Sequence, residues 1–257
     1  MLTISFGGGA WFVMFHLGVA KYVSEHIKPH LKENLYFCGC SAGSAAATAL
    51  ALDIDINNLS NDLILARTNN IFYMCSNAHN VSKKHIPTND FVCQSASGKL
   101  LIGISTYKPL LYFQKAYKSS FSNRDDIIKA LKATCHIPLL DGILPIFIDN
   151  KLCYDANITY NWSCLPSFNK PNERVIYVTS KYCDFLSHEG WISPQVKFPF
   201  IWQLFPPSEE ILNAIMRLGY LRAWEYFQTF PSEYFYKFET CFSIELDNTL
   251  SIIKRAS

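Results

Sequence analysis

Twice before residue 53, a short apolar run stops at glycine and gives way to residues at helical spacing. Residues 2–6 (LTISF) run into Gly7-Gly8-Gly9, which reads as a buried strand feeding a tight loop. Trp11, Phe15, Val19 and Tyr22 then recur on one face, with Gly18 and Ala20 as small surfaces between them. The pattern predicts a helix that ends before Pro29, because proline disfavours helical geometry in the residue ahead of it. Residues 35–39 (LYFCG) read as a second strand, followed by Ser41 and an alanine-rich helix over 45–52. Strand, glycine turn and helix in repetition demand parallel neighbours joined by crossovers, so the expectation is an α/β fold around a mostly parallel sheet.

The rest of the chain is less regular. Residues 57–67 have helical spacing, whereas 69–98 are polar and less legible, carrying His79, Lys83, Lys84 and His85. An amphipathic helix is expected at 124–134 (RDDIIKALKAT), a hairpin at 147–154 around Asp149-Asn150, and a buried strand at 175–179 (VIYVT). A long helix at 208–227 has Ser208 as its cap. No repeat or linker divides residues 1–257, which predicts one domain. Hydrophobic residues, 49% of the chain, are enough for a sizeable core. The net charge of +2 is spread too thinly to favour nucleic acid. Nine cysteines form no paired framework, and the N-terminal apolar run is too short for a signal peptide. No run approaches the roughly 18 apolar residues of a membrane span. Together these features predict reduced thiols and a chain on the cytoplasmic side, soluble or peripheral to a membrane.

Gly39-Cys40-Ser41-Ala42-Gly43 is a G-x-S-x-G motif between an apolar strand and a helix, the setting of a nucleophile elbow. The sharp turn projects the Ser41 side chain, and the small neighbours let strand and helix pass closely. The same residues would also suit a serine that caps a helix. Gly7, Gly8 and Gly9 leave backbone N–H groups uncovered, as an oxyanion hole or a phosphate cradle requires. The phosphate reading lacks support. No Gly-Lys-Ser/Thr follows, and position 12 is Phe where a dinucleotide fingerprint has glycine. Ser41 needs a base, and of the seven histidines only His188 lies late in the chain, in a loop-like setting. A carboxylate within hydrogen-bond reach can serve instead.

With these motifs the chain resembles the patatin-like phospholipases, in particular their adiponutrin-like branch. Residues 5–9 and 15–20 are similar to that branch's oxyanion loop and following helix, and residues 39–44 to its nucleophile elbow. Tyr154-Asp155-Ala156-Asn157 stands where the family has an Asp-Gly pair, after His136-Ile137-Pro138. The resemblance spans almost the whole chain. It implies a three-layer fold and a dyad of Ser41 and Asp155 without histidine. The oxyanion hole would come from Gly7, Gly8, Gly9 and Ala42, with Gly39 and Gly43 in support. No metal and no cofactor are implied. The implied substrate is a glycerolipid or phospholipid at a membrane or lipid-droplet surface. Two features depart from the pattern: Ala156 replaces the usual glycine, and the oxyanion loop lacks an arginine found in many patatins, as the adiponutrin-like branch also does. Asp141-Gly142 is a rival Asp-Gly pair read as a turn. A rival class, a catalytically weak scaffold that binds lipid or a partner, rests on Ala156 and on the choice between the two aspartates.

Three further features have both a structural and a functional reading. His79 and His85 lack further ligands at metal spacing, and His16 suits a buried, hydrogen-bonded position below the glycine loop. The proline-broken aromatic stretch 191–205 suits either core or an interfacial lid.

Overall fold

The computed structural model describes residues 1–31, 33–108, 112–161, 165–182, 190–229 and 243–256. Helices and strands run in the order β1 (Leu2–Phe6), α1 (Val13–Tyr22), α2 (Lys28–Leu31), β2 (Leu35–Cys40), α3 (Gly43–Ala51), α4 (Ile56–Leu65), α5 (Ile71–His85) and α6 (Asp90–Ser95). There follow β3 (Leu100–Lys108), β4 (Tyr112–Lys118), α7 (Arg124–Thr134), β5 (Ile146–Ile148), β6 (Lys151–Tyr154), β7 (Arg174–Val178), β8 (Trp191–Ile192), α8 (Glu209–Gln228) and α9 (Ser243–Ala256). The central sheet has the order β5-β6-β3-β2-β1-β7-β8, with β4 pairing β3 off that path. The five strands from β3 to β8 are mutually parallel, and β4, β6 and β5 add antiparallel pairs at one side. This is the expected α/β architecture.

Register divides the side chains between two faces, because neighbouring strand residues point to opposite sides. Leu2, Ile4 and Phe6 of β1 join the main core. Helix α3 packs on the sheet at β1, β2 and β3 and α7 packs at β3, while α1 packs on α3 and α8 on α1. Thr3 and Ser5 face the other way, level with Tyr36 and Cys38 of β2. Among the described residues that second face is covered by extended chain after Asp155 rather than by a long helix. Ser5 Oγ donates to Pro166 O at 2.6 Å, and Thr3 Oγ1 donates to Glu173 at 2.6 Å. Cys40, Ala156, Tyr160 and Leu165 form a small apolar cluster there. The contact of α1 with α8 explains two glycines: a Cβ at Gly18 would strike Met216 O, and one at Gly219 would strike Phe15 O.

The structure corrects the expectation at Pro29. A π-helical turn over Val23–Ile27, in which Lys28 N–H reaches back to Val23 O, carries the helix through into α2. The widened turn moves the carbonyl that the proline ring would otherwise meet. Residues 69–98, polar and without a legible element in the sequence, contain α5 and α6, each capped by an asparagine: Asn70 accepts from Phe72 N and Asn89 from Phe91 N. The hairpin turn sits at Asp149 and Asn150, at φ 47° and 60°. The Ser208 cap accepts from Ile211 N at 3.4 Å.

The aromatic stretch at 191–205 is divided between core and surface. Trp202 is only 9% exposed, and the Phe198 ring packs on Phe12 and Phe15 at centroid distances of 4.9 and 6.5 Å. Phe200, Ile201 and Phe205 remain exposed.

Candidate functional site

Strand β2 delivers Ser41 at its C-terminal end with φ 48°, a left-handed conformation that costs an L residue of order 1 kcal/mol or more. Neighbouring groups hold it there. Ser41 N donates to Thr134 Oγ1 at 2.8 Å, and Thr134 Oγ1 donates to Gly103 O at 2.6 Å, tying the elbow to the end of α7 and to β3. Ser41 O accepts from Ser44 N at 2.9 Å and from Ser44 Oγ at 2.6 Å. Gly43 is required by the close approach of the first loop, since a Cβ there would strike the carbonyls of Phe6 and Gly7.

The Ser41 hydroxyl donates to Asp155 Oδ2 at 2.8 Å across 114 residues of sequence. The strand that brings the two together is β3. Gly103 pairs with Cys40 just before the serine, and Ser105 pairs with Tyr154 just before the aspartate. Asp155 N donates to His136 O at 2.8 Å, and Asp155 Oδ1 accepts from Asn157 N at 2.7 Å. Both Ser41 and Asp155 are buried. Burial raises the Asp155 carboxyl to about 6, against the opposing pull of the Asn157 and Ser41 hydrogen bonds and of nearby His136. Ala156, where the family pattern has glycine, is buried against the second face and leaves this contact intact.

Asp141 does not approach the serine hydroxyl. Its carboxylate lies 3.3 Å from Nδ1 of buried His136, so it pairs across the turn instead of capping its own backbone. His188 lies outside the described residues. His16 is fully buried, with Phe6 and Phe15 rings edge-on at 5.9 and 6.2 Å. Its ring nitrogens make no hydrogen bond of good geometry among the described residues, and the Gly8 backbone of the loop is the polar group that bears on them. Burial lowers its pKa to about 3, with the Gly8 backbone opposing, so the ring is neutral. Asp62 takes up His85 at 2.6 Å, and no group of three metal-ligating side chains occurs among the described residues.

The glycine loop needs one correction. Gly7 N donates to Val178 O at 2.9 Å, because the loop's first residue continues the pairing of β1 with β7. Gly7 therefore offers no free N–H. The N–H groups of Gly8, Gly9 and Ala42 take no partner among the described residues. Ser41, Ala42 and Asp155 open on an apolar cavity of about 110 Å³. Its walls include Trp11, Val13, Leu63, Met74, Cys75, Ala78, Leu131 and Ile137, with His79 and Lys132 as its basic groups. The α5 wall was missed in the sequence. The signal was there in Met74, Ala78 and Val81, spaced four and three apart within an otherwise polar run.

A family model described as patatin-like phospholipase matches residues 4–90. A mouse protein named 1-acylglycerol-3-phosphate O-acyltransferase Pnpla3 is 25% identical over 247 residues, covering 88% of this chain and 59% of its own length. The human protein of that name is 22% identical over 248 residues, covering 88% of this chain and 50% of its own length. Mouse patatin-like phospholipase domain-containing protein 5 is 24% identical over 245 residues, covering 86% of this chain and 55% of its own. The chain thus spans between half and three fifths of the curated relatives it matches. The crystal structure of VipD from Legionella pneumophila superposes with a TM-score of 0.50 at 11% identity, covering 88% of this chain and 66% of that one. That likeness concerns the fold alone. The resemblance to the patatin-like phospholipases, and to their adiponutrin-like branch, is shown by these matches at low identity.

Proposed function

We propose that this patatin-like chain cleaves fatty acyl esters of glycerolipids or phospholipids, with Ser41 as nucleophile and Asp155 as its base. The observation that carries the proposal is the 2.8 Å hydrogen bond from Ser41 Oγ to Asp155 Oδ2 at the wall of an apolar cavity. As Ser41 Oγ attacks the ester carbonyl, its proton passes to the Asp155 carboxylate. The N–H groups of Gly8, Gly9 and Ala42 are the donors available to the developing oxyanion, each worth roughly 3 kcal/mol in such a role. Collapse expels the glycerol oxygen, which takes the proton from Asp155 and leaves an acyl-Ser41 ester. Water, deprotonated by the same carboxylate, then attacks the acyl ester; collapse releases the fatty acid, and Ser41 Oγ leaves with the proton returned from Asp155. Two relatives carry an acyltransferase name, and the same acyl-serine would serve a lipid hydroxyl as acceptor. The reaction as drawn uses only side chains and backbone N–H groups. The substrate would come from a membrane or lipid-droplet surface; among the described residues no helix is long and apolar enough to cross a bilayer.

The test is Ser41→Ala in a folded, purified chain. Release of fatty acid from phospholipid or acylglycerol should fall by several orders of magnitude. Retention of most of the wild-type rate would refute the mechanism.

A further inference from the structure

The segment from the end of α7 into β5 differs from the rest of the surface. Leu139, Ile143 and Leu144 are 71%, 77% and 79% exposed, and Phe147 beside them is also exposed. Four large apolar side chains within nine residues form a cluster of the kind that soluble surfaces rarely leave open. The loop is held in place by its own backbone. Leu139 N donates to Gly142 O at 3.1 Å and Asp141 N to Ile137 O at 3.0 Å. Leu139 itself is kept at φ 75°, which a bulky residue seldom adopts. The same loop forms the rim of the Ser41 cavity, because Ile137 and Asp141 line it.

Charge identifies the occupant. The loop's one charged residue, Asp141, is taken up by His136. Around it stand exposed lysines: Lys132 lines the cavity wall, Lys129 lies one turn earlier on α7, and Lys151 follows the hairpin turn, where Asp149 is paired with Lys118. None of the three has an ion-pair partner among the described residues. Apolar side chains projecting beyond a cationic rim suit the boundary between acyl chains and anionic head groups.

We infer that residues 139–147 dock the chain on a bilayer containing anionic phospholipid, setting the cavity mouth against the surface from which an acyl chain enters. The inference rests on the acyl-hydrolase reading for its purpose, but its test needs no turnover. The Ser41→Ala chain is floated with phosphatidylcholine vesicles that contain phosphatidylserine. In that background Ile143→Ser with Leu144→Ser should weaken partitioning more than about tenfold, with an unchanged melting temperature because both side chains are exposed. Lys129→Gln with Lys151→Gln should weaken binding about 25-fold on these vesicles and leave binding to pure phosphatidylcholine unaltered. Phe91→Ser, an equally exposed residue outside the loop, should change nothing. Undiminished partitioning of the Ile143/Leu144 variant, an equal loss from Phe91→Ser, or lysine variants that bind phosphatidylserine vesicles normally would each overturn the assignment. So would a dimer that the Ile143/Leu144 substitutions turn into monomer, since the loop would then be an interface between copies.

Discussion

Asp155→Asn should make the protein more stable as it makes it inactive. Burial raises the Asp155 pKa from 3.8 to about 6. A shift of about two pH units at ~1.4 kcal/mol each means that ionising this carboxyl costs the fold about 3 kcal/mol. The sign follows from the direction of the shift. Below about pH 4 the carboxyl is protonated in folded and unfolded chains alike, and no penalty applies. Between about pH 4 and pH 6 the unfolded chain gives up this proton while the folded chain keeps it, so stability falls by that amount and levels off above pH 6. Asparagine has the same shape and no charge: its oxygen still accepts from Asn157 N, and its amide can donate to Ser41 Oγ. The gain at pH 8 should therefore reach between about 1 and 3 kcal/mol, on the order of 5 °C in melting temperature for a chain of this size. Scanning calorimetry of both proteins from pH 4 to pH 8 is the assay. The gap should be near zero at the acid end and reach its plateau above pH 6. Over the same range the hydrolysis rate of the variant should be lower by about 10³-fold. A variant that melts at or below wild type at pH 8, or a gap that widens as pH falls, would refute the reasoning.

Two other outcomes follow from the same geometry. The rate of the wild-type chain should fall about tenfold per pH unit below pH 6, as the Asp155 carboxylate is titrated; an acid limb centred near 4 would show that burial leaves the base unperturbed. Trp202→Ser should lower stability by about 3–5 kcal/mol and damage hydrolysis of soluble and aggregated esters together; loss on vesicles alone, at an unchanged melting temperature, would mark the tryptophan as interfacial instead of core.

The parts of the fold legible in the sequence were those where local chemistry and tertiary need agree. LTISF before three glycines, the elbow around Ser41, the Asp149-Asn150 turn and the Ser208 cap each declare themselves within a few residues. What escaped depends on distant partners. Strand β3 is buried along most of its length between β2 and the antiparallel strands, yet it sets the distance between Ser41 and Asp155. Helix α5 looks polar because much of it faces solvent, while its narrow apolar stripe walls the cavity. Gly7 read as a donor because sequence does not show that β1 extends its pairing by one residue to Val178. The choice between Asp141 and Asp155 turned on position rather than on the following glycine. Asp155 ends the hairpin strand that pairs with β3, whereas Asp141 sits in a turn beside His136. The sequence left the aromatic stretch at 191–205 open between core and lid; Trp202 belongs to the core, whereas Phe200, Ile201 and Phe205 are exposed.

The most direct measurement is covalent. A fluorophosphonate reacts with a serine only where a base accepts its proton and an oxyanion hole receives the phosphoryl oxygen. Peptide mass spectrometry of the treated wild-type chain should find the adduct on Ser41, and the Asp155→Asn chain should be modified far more slowly. A folded wild-type chain that carries no adduct, or carries it on another serine, would contradict the assignment of Ser41 and Asp155 as a catalytic pair.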